Sequence, residues 1–262
     1  MSVAKVSRSG ALVTGAGSGI GRAAAVRLAA DGLFVGLLGR TENELEDALA
    51  EIRASGGDGM ILTADVSRED EMRSALGRFA TSVDQIKVLV VNAGINGTWA
   101  PIDELMPDEF DQTVSINLRG TYLTLHYGVP HMKQSGGSIV VVSSINGTRT
   151  FTSPGASAYS ATKAAQLAMV QQLAVELGKH KIRINAVCPG AISTNIDDNT
   201  EIRSRAEAQE PVQFPDGDIP LTDGNPGRTE DIAAAIAFLA SDHGAHITGT
   251  PIWIDGGQSL LR

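Results

Sequence analysis

The chain has 262 residues, 42% of them hydrophobic, which is enough to bury a sizeable core. Its formal net charge of −9, with acids spread along the chain, argues against nucleic acid or an anionic membrane as a partner. A single cysteine, Cys188, excludes an internal disulfide and fits a reducing, cytoplasmic setting.

The opening MSVAKVSRSG carries no apolar core of a signal peptide. No apolar run approaches the ~20 residues of a membrane span. From there, short apolar runs alternate with longer amphipathic stretches. The predicted strands are Ala11–Thr14, Phe34–Leu38, Gly59–Ala64, Val88–Val91, Ser138–Val142, Arg183–Val187 and Ile252–Ile254. The predicted helices are Ile20–Ala30, Glu42–Ala54, Glu69–Phe79, Pro107–Met132, Ala158–Leu177 and Thr229–Ala240. Alternating β and α segments with near-continuous apolar strands predict an α/β fold: a doubly wound, Rossmann-type parallel sheet of about seven strands with helices on both faces. No Pro- or Gly-rich linker divides the chain, so residues 1–262 read as a single domain. The exception to the alternation is 195–227, rich in acids and holding Pro211, Pro215, Pro220 and Pro226. A structure-poor segment of that length in a compact domain is expected to be a substrate lid.

The first predicted strand runs into TGAGSGIG, residues 14–21, and an Ala-rich helix follows at once. Gly15, Gly17, Gly19 and Gly21 allow a tight turn, close approach of backbone to a pyrophosphate, and close packing of helix on sheet. The helix N-terminus, at Ser18, Gly19 and Ile20, then offers free N–H groups and a positive dipole end to phosphates. A glycine-rich loop alone is often only a turn; its place between the first strand and first helix makes it a nucleotide site. The spacing fits neither the strict G-x-G-x-x-G fingerprint nor a P-loop. At the end of the second strand, Gly39 stands where an acid would bind a ribose 2′-hydroxyl, and Arg40 follows. An arginine suits a 2′-phosphate by charge and by its planar donor fork, and Thr41 adds a hydroxyl, so NADP(H) is favoured over NAD(H). Asp65, after the third strand, is placed to reach the adenine edge. Asn92, Ala93 and Gly94 follow the fourth strand, across the crevice at the switch point of such sheets.

In AYSATKAA, Tyr159 stands four residues before Lys163, so phenol and ammonium share one helix face. A free tyrosine titrates near ~10, and a positive charge within ~4–6 Å favours the phenolate. At an effective dielectric of ~20 that attraction reaches up to ~4 kcal/mol, which would make Tyr159 a usable general acid/base. Taken by itself the pair reads as a buried ring beside a solvated lysine. Cys188, in the apolar run RINAVCPG, reads as packing rather than as a nucleophile. With no cysteine cluster and five scattered histidines, no metal site is expected.

Together these residues resemble the short-chain dehydrogenase/reductase family in its compact single-domain branch. The matching elements are TGAGSGIG at 14–21, DV at 65–66, NAG at 92–94, Asn117 within SINLRG, SS at 143–144, YSATK at 159–163, PG at 189–190 followed by Thr194, and ITGTPIWIDGG at 247–257. They run in the family's order over nearly the whole chain. The resemblance implies a catalytic group of Asn117, Ser144, Tyr159 and Lys163. It also implies cofactor contacts from Val66, Pro189, Gly190, Ile192 and Thr194, and from Tyr159 and Lys163 themselves. Ser144 is preferred to Ser143 because Ile145, Asn146 and Gly147 follow it as x-x-Gly follows the family's serine. The Ser-to-Tyr interval is about two longer than is common in the family, which widens the loop 148–155. In the implied mechanism a nicotinamide delivers hydride to a carbonyl carbon while Tyr159 donates the proton, and oxidation of the secondary alcohol reverses both steps. Ser144 holds the carbonyl oxygen, Lys163 lowers the tyrosine pKa and binds the nicotinamide ribose, and Asn117 holds a relay water. The alternative is a non-catalytic nicotinamide-nucleotide sensor or scaffold on the same fold. A small-molecule carbonyl or alcohol is the expected partner, and Trp99, Asn146, Phe151 and the 195–227 segment are expected to shape its pocket. Core packing is an equal expectation for Phe151. A 3-oxoacyl thioester, a sugar or polyol, and a steroid or xenobiotic carbonyl all remain open as substrates. The family implies a homotetramer built on the two long helices and the C-terminal strand.

Overall fold

The computed structural model describes residues 8–194, 196, 199–209 and 219–261. Seven strands form one parallel sheet: β1 Ser9–Thr14, β2 Phe34–Gly39, β3 Gly59–Thr63, β4 Gln85–Val91, β6 Gly137–Val142, β7 Ile182–Pro189 and β9 Pro251–Ile254, in the order β3-β2-β1-β4-β6-β7-β9. The order reverses between β1 and β4. Their carboxyl ends, Thr14 and Val91, therefore open onto a crevice at the switch point.

Both faces of the sheet are covered, because side chains alternate along each strand. Ala11 and Val13 of β1, with Val88 and Val90 of β4, pack under α1 Gly19–Ala30, α2 Glu42–Ala54 and α8 Thr229–Ala240. Leu12, Leu89 and Val91 face the other way, toward α3 Glu69–Ser82, α5 Gly120–Gly128 and α6 Ser157–Gly178. The helices present apolar stripes at i, i+3, i+4 and i+7: Leu45, Ala48, Leu49 and Ile52 on α2; Met72, Ala75, Leu76 and Phe79 on α3. The buried face of α6 is different. It begins polar, with Tyr159, Thr162, Lys163 and Gln166, and turns apolar only at Val170, Ala174 and Leu177. Polar burial of that kind costs stability unless every group is bonded.

The stretch expected as one helix over Pro107–Met132 is divided. α4 covers Pro107–Val114, a π-helical turn covers Ser115–Arg119, and α5 follows before a short 3₁₀ turn at Val129–His131. In the π turn the Gly120 N–H bonds the Ser115 carbonyl five residues back. Its cause is Asn117, whose bonds are described below.

Two short strands, β5 Gly97–Trp99 and β8 Thr200–Ile202, form a separate parallel pair. This pair fastens part of the 195–227 segment, and a short helix, α7 Arg205–Ala208, follows it. Arg203 strengthens the fastening: its guanidinium donates to the Glu104 carbonyl at 2.9 Å and pairs with Glu109 at 2.5 Å. Positions 195, 197, 198 and 210–218 of the expected lid, with Pro211 and Pro215, lie outside the described residues. Among the described residues no helix is long and apolar enough to cross a membrane.

Candidate active site

The crevice is built first by glycine. Gly15 turns the chain out of β1 at φ +67°, a conformation that side chains resist. Gly21, one turn into α1, is packed so tightly under this bend that a Cβ there would be driven into the Gly15 carbonyl oxygen and the Asn92 side chain. Asn92 braces the turn from behind: its amide donates to the Thr14 carbonyl at 3.0 Å, and its backbone N–H donates to Thr14 Oγ1 at 2.9 Å. Substituting Gly21→Ala is therefore expected to lift α1 from β1, at about 1–3 kcal/mol of stability, the usual cost of overpacking. Thermal unfolding together with nucleotide titration checks this; an unchanged midpoint and affinity would refute the close-packing argument.

Of the expected cofactor contacts, Gly15, Gly17, Ser18, Arg40, Thr41, Asp65, Val66, Ala93 and Gly94 line one crevice of about 330 Å³. Gly19, Ile20, Gly21 and Asn92 belong to the turn and helix that form its wall rather than to its lining. The α1 N-terminus at Gly19 lies against Thr194, whose methyl carbon would be 3.3 Å from a Cβ on that glycine. Thr194 follows the bend at Pro189 and Gly190, which the Gln258 side chain secures by accepting from the Ala191 N–H at 2.8 Å. Ile192 is held by a bridge to Gly227. The crevice is also lined by residues that the sequence did not single out, among them Glu44, Ile95 and Asn199. The Arg40 side chain is 60% exposed and faces Asp65 at 3.9 Å, while Asp65 accepts from the Ser67 hydroxyl at 2.7 Å. The turn and the helix N-terminus offer the backbone donors, and the Arg40–Asp65 end the polarity, that a dinucleotide needs.

At the other end of the crevice, β6 ends at Val142 and delivers two serines. Ser143 is tied inward, its hydroxyl donating to the Lys163 carbonyl at 2.9 Å. Ser144, one residue on, turns toward Tyr159 and accepts from the Asn146 N–H at 3.1 Å. The structure thus separates the pair that the sequence left side by side. Tyr159, Ser144, Lys163 and Asn117 are 7%, 8%, 4% and 0% exposed, so the group is nearly dry. The Asn117 carboxamide behaves like a strand edge. Its oxygen accepts from the Ile95 N–H at 2.8 Å and its nitrogen donates to the Ile95 carbonyl at 2.9 Å. Its own carbonyl receives the Thr121 hydroxyl at 2.7 Å and the Gln166 amide at 2.9 Å. These side-chain donors compensate for the broken α-helical ladder, and they stabilise the π turn that aims Asn117 at Gly94 and Lys163. A Cβ on Gly94 would stand 3.1 Å from Asn117 Oδ1 and 3.8 Å from Lys163 Nζ, so the crevice floor and the buried polar group of Asn117 and Lys163 meet at that glycine.

The electrostatics depart from the expectation that Lys163 draws the phenol down. Burial dominates and raises the Tyr159 pKa, with the Ser144 hydroxyl acting in the opposite direction. Burial likewise lowers Lys163, to about 8, opposed by the Cys188 sulfur. The reason is placement. The Lys163 ammonium lies 5.5 Å from the Tyr159 ring centroid and donates to the Val142 carbonyl at 2.9 Å, while both groups pay for loss of water. Cys188 is fully buried and its thiol is pushed up to about 11, in keeping with a packing role. Trp99 stands over the site, its ring 6.2 Å from that of Tyr159. Asn146 accepts from the Ser153 hydroxyl at 3.0 Å, which closes the loop after Ser144. Phe151, for which core packing was an equal expectation, is 74% exposed and belongs to no core.

Comparison with known proteins places the chain in a family. A family model described as enoyl-(acyl carrier protein) reductase matches residues 15–259. Levodione reductase of Leifsonia aquatica is 36% identical over 252 residues, covering 95% of this chain and 93% of that protein. A 3-ketoacyl-ACP reductase structure from Sinorhizobium meliloti 1021 superposes with a TM-score of 0.92 at 62% identity, covering 96% of this chain and 99% of that one. A 3-ketoacyl-(acyl-carrier-protein) reductase from Brucella melitensis, solved in complex with NADH, superposes with a TM-score of 0.84 at 32% identity, over 96% and 98% of the two chains.

Proposed function

Since the chain belongs to the short-chain dehydrogenase/reductase family, a family of NAD(P)-dependent oxidoreductases acting on carbonyls and alcohols, we propose that it reduces a carbonyl to a secondary alcohol, and the reverse, with Tyr159 as general acid/base and NADP(H) favoured over NAD(H). The observation that carries this reading is the convergence of Ser144, Tyr159 and Lys163, all buried, at the sheet end where the glycine-lined crevice terminates.

When bound, the nicotinamide supplies or accepts the hydride. The chain's own residues handle the oxygen and the proton. Ser144, at the mouth of β6, donates a hydrogen bond to the substrate oxygen and holds it against the phenol. A Tyr159 pKa raised by burial keeps the proton on the phenol at neutral pH, which suits it to protonate a carbonyl oxygen. Lys163, lowered to about 8, titrates close to working pH; in reduction it returns a proton to the phenol, drawn from the Asn117 side, and in alcohol oxidation it passes the proton outward by the same route. Asn117 keeps one lone pair of its side-chain oxygen for the relay water. Residues 1–262 act as one cytoplasmic domain, with 195–227 as the lid over the substrate, in a homotetramer.

Arg40, with Gly39 in place of an acid, supports the preference for a 2′-phosphate. The test follows hydride transfer at the reduced-nicotinamide absorbance, with NADPH and NADH, over carbonyls headed by a 3-oxoacyl thioester and levodione. Turnover with NADPH exceeding that with NADH, reversed by Arg40→Asp, is the expected result. Tight cofactor binding with no turnover over a wide panel would favour a sensor or scaffold instead.

A further inference from the structure

Glu44 occupies the first turn of α2, four residues after Arg40, and lines the same crevice as Arg40, Thr41 and Asp65. Its carboxylate hangs over the glycine turn: a Cβ on Gly17 would stand 2.9 Å from Glu44 Oε2 and 2.8 Å from the Glu44 Cβ. Among the described residues it makes no hydrogen bond and no ion pair, whereas Asp65 is engaged by Ser67 and faces Arg40. A free carboxylate thus lies between the phosphate-binding turn and the residue expected to bind a 2′-phosphate.

We infer that Glu44 is a specificity-determining residue of the dinucleotide crevice, accepting a hydrogen bond from the 2′-hydroxyl of an unphosphorylated adenosine ribose and opposing a 2′-phosphate. This rests on the reading of the crevice as a nicotinamide-dinucleotide site. A 2′-hydroxyl is a donor that a carboxylate accepts well; a 2′-phosphate is a dianion that it repels. Arg40 acts with the opposite sign, and its long, exposed side chain can leave Asp65 for a phosphate. The preference for one cofactor is therefore a small difference between two opposed charges on one rim, and both dinucleotides are accepted. Gly17 is part of the device, since any side chain there would displace the carboxylate.

The test uses equilibrium binding to the full chain, by calorimetry, of 5′-AMP and 2′,5′-ADP, which isolate the ribose end, alongside NAD⁺ and NADP⁺. Glu44→Gln keeps size and removes the charge. It is expected to shift the affinity ratio toward 2′,5′-ADP by about tenfold at low salt, with a smaller shift at high salt, as a screened charge effect requires. Arg40→Ala is expected to move the ratio the other way. A Glu44 that only complements the α2 dipole would change the unfolding temperature and leave the ratio where it was. A ratio altered less than about twofold in Glu44→Gln, with both dinucleotides still bound, overturns the role of Glu44 and leaves the site standing. Failure of the unaltered protein to bind either dinucleotide overturns both readings.

Discussion

Replacing Tyr159 by phenylalanine is expected to lower turnover by about 10³-fold while leaving dinucleotide affinity within about twofold, because it removes a proton donor and little else. The ring stays buried, keeps its tilted contact with Trp99, and keeps its place one turn above Lys163 on α6. What is lost is the single oxygen that faces Ser144. A structural defect would lower stability and binding together; a chemical one lowers kcat alone. Single-turnover rates measured beside the dissociation constant separate the two. The pH profile adds a further check, since the limb that reports the phenol should vanish in the variant while the limb near pH 8, assigned to Lys163, remains. Residual activity within about tenfold of the unaltered protein would remove Tyr159 from the proton-transfer step.

Much of this site could be read before any coordinates. Continuous apolar runs place six of the seven strands to within about two residues, and the start of β4 to within three, because a parallel sheet buries both faces of each strand and leaves no polar alternation to mislead. TGAGSGIG identifies the turn since its glycines answer a local demand: Gly15 bends, and Gly21 yields to it. The break in the expected 107–132 helix is a different matter. Helical periodicity continues through Ser115–Arg119, and no proline announces an interruption; the π turn depends on Asn117 reaching Ile95 and on Thr121 and Gln166 reaching Asn117. β5 and β8 are three residues long, too short for a pattern, and exist through each other. Glu44 escapes notice for the same reason, as its neighbour Gly17 lies 27 positions away in sequence. The i, i+4 spacing of Tyr159 and Lys163 establishes that they share a helix face. It carries no information about how dry that face is, and dryness is what reverses the expected direction of the tyrosine shift.

The same dryness makes Lys163 a stability cost that function retains. Its pKa falls from 10.5 to about 8 on burial, so at neutral pH the folded protein holds a charge it would rather lose. That difference corresponds to about 3 kcal/mol against the folded state. The cost is fully present below pH 8. It is relieved as pH rises from 8 toward 10.5, where the folded protein has released the proton and the unfolded chain still binds it. Cys188 acts the other way: its thiol, raised from 9.0 to about 11, contributes stability that is lost as pH climbs through that interval. Comparing the unaltered protein with Lys163→Met below pH 9, where the Cys188 thiol stays protonated in the folded protein and mostly so in the unfolded chain, isolates the lysine. At about pH 7 the methionine variant is expected to be the more stable by about 1–2 kcal/mol, after deducting what is lost when the Val142 carbonyl forfeits its donor. Between about pH 7 and pH 9 the gap should narrow by about 1 kcal/mol. Turnover should fall by about 10²-fold or more, since Lys163 is the titratable group placed to replenish the proton of the phenol. Denaturant titrations across that pH range, read beside kcat, decide the matter. A variant that is less stable at pH 7, with a gap independent of pH, would mean that the buried ammonium stabilises the fold, and that the site stores no strain at Lys163.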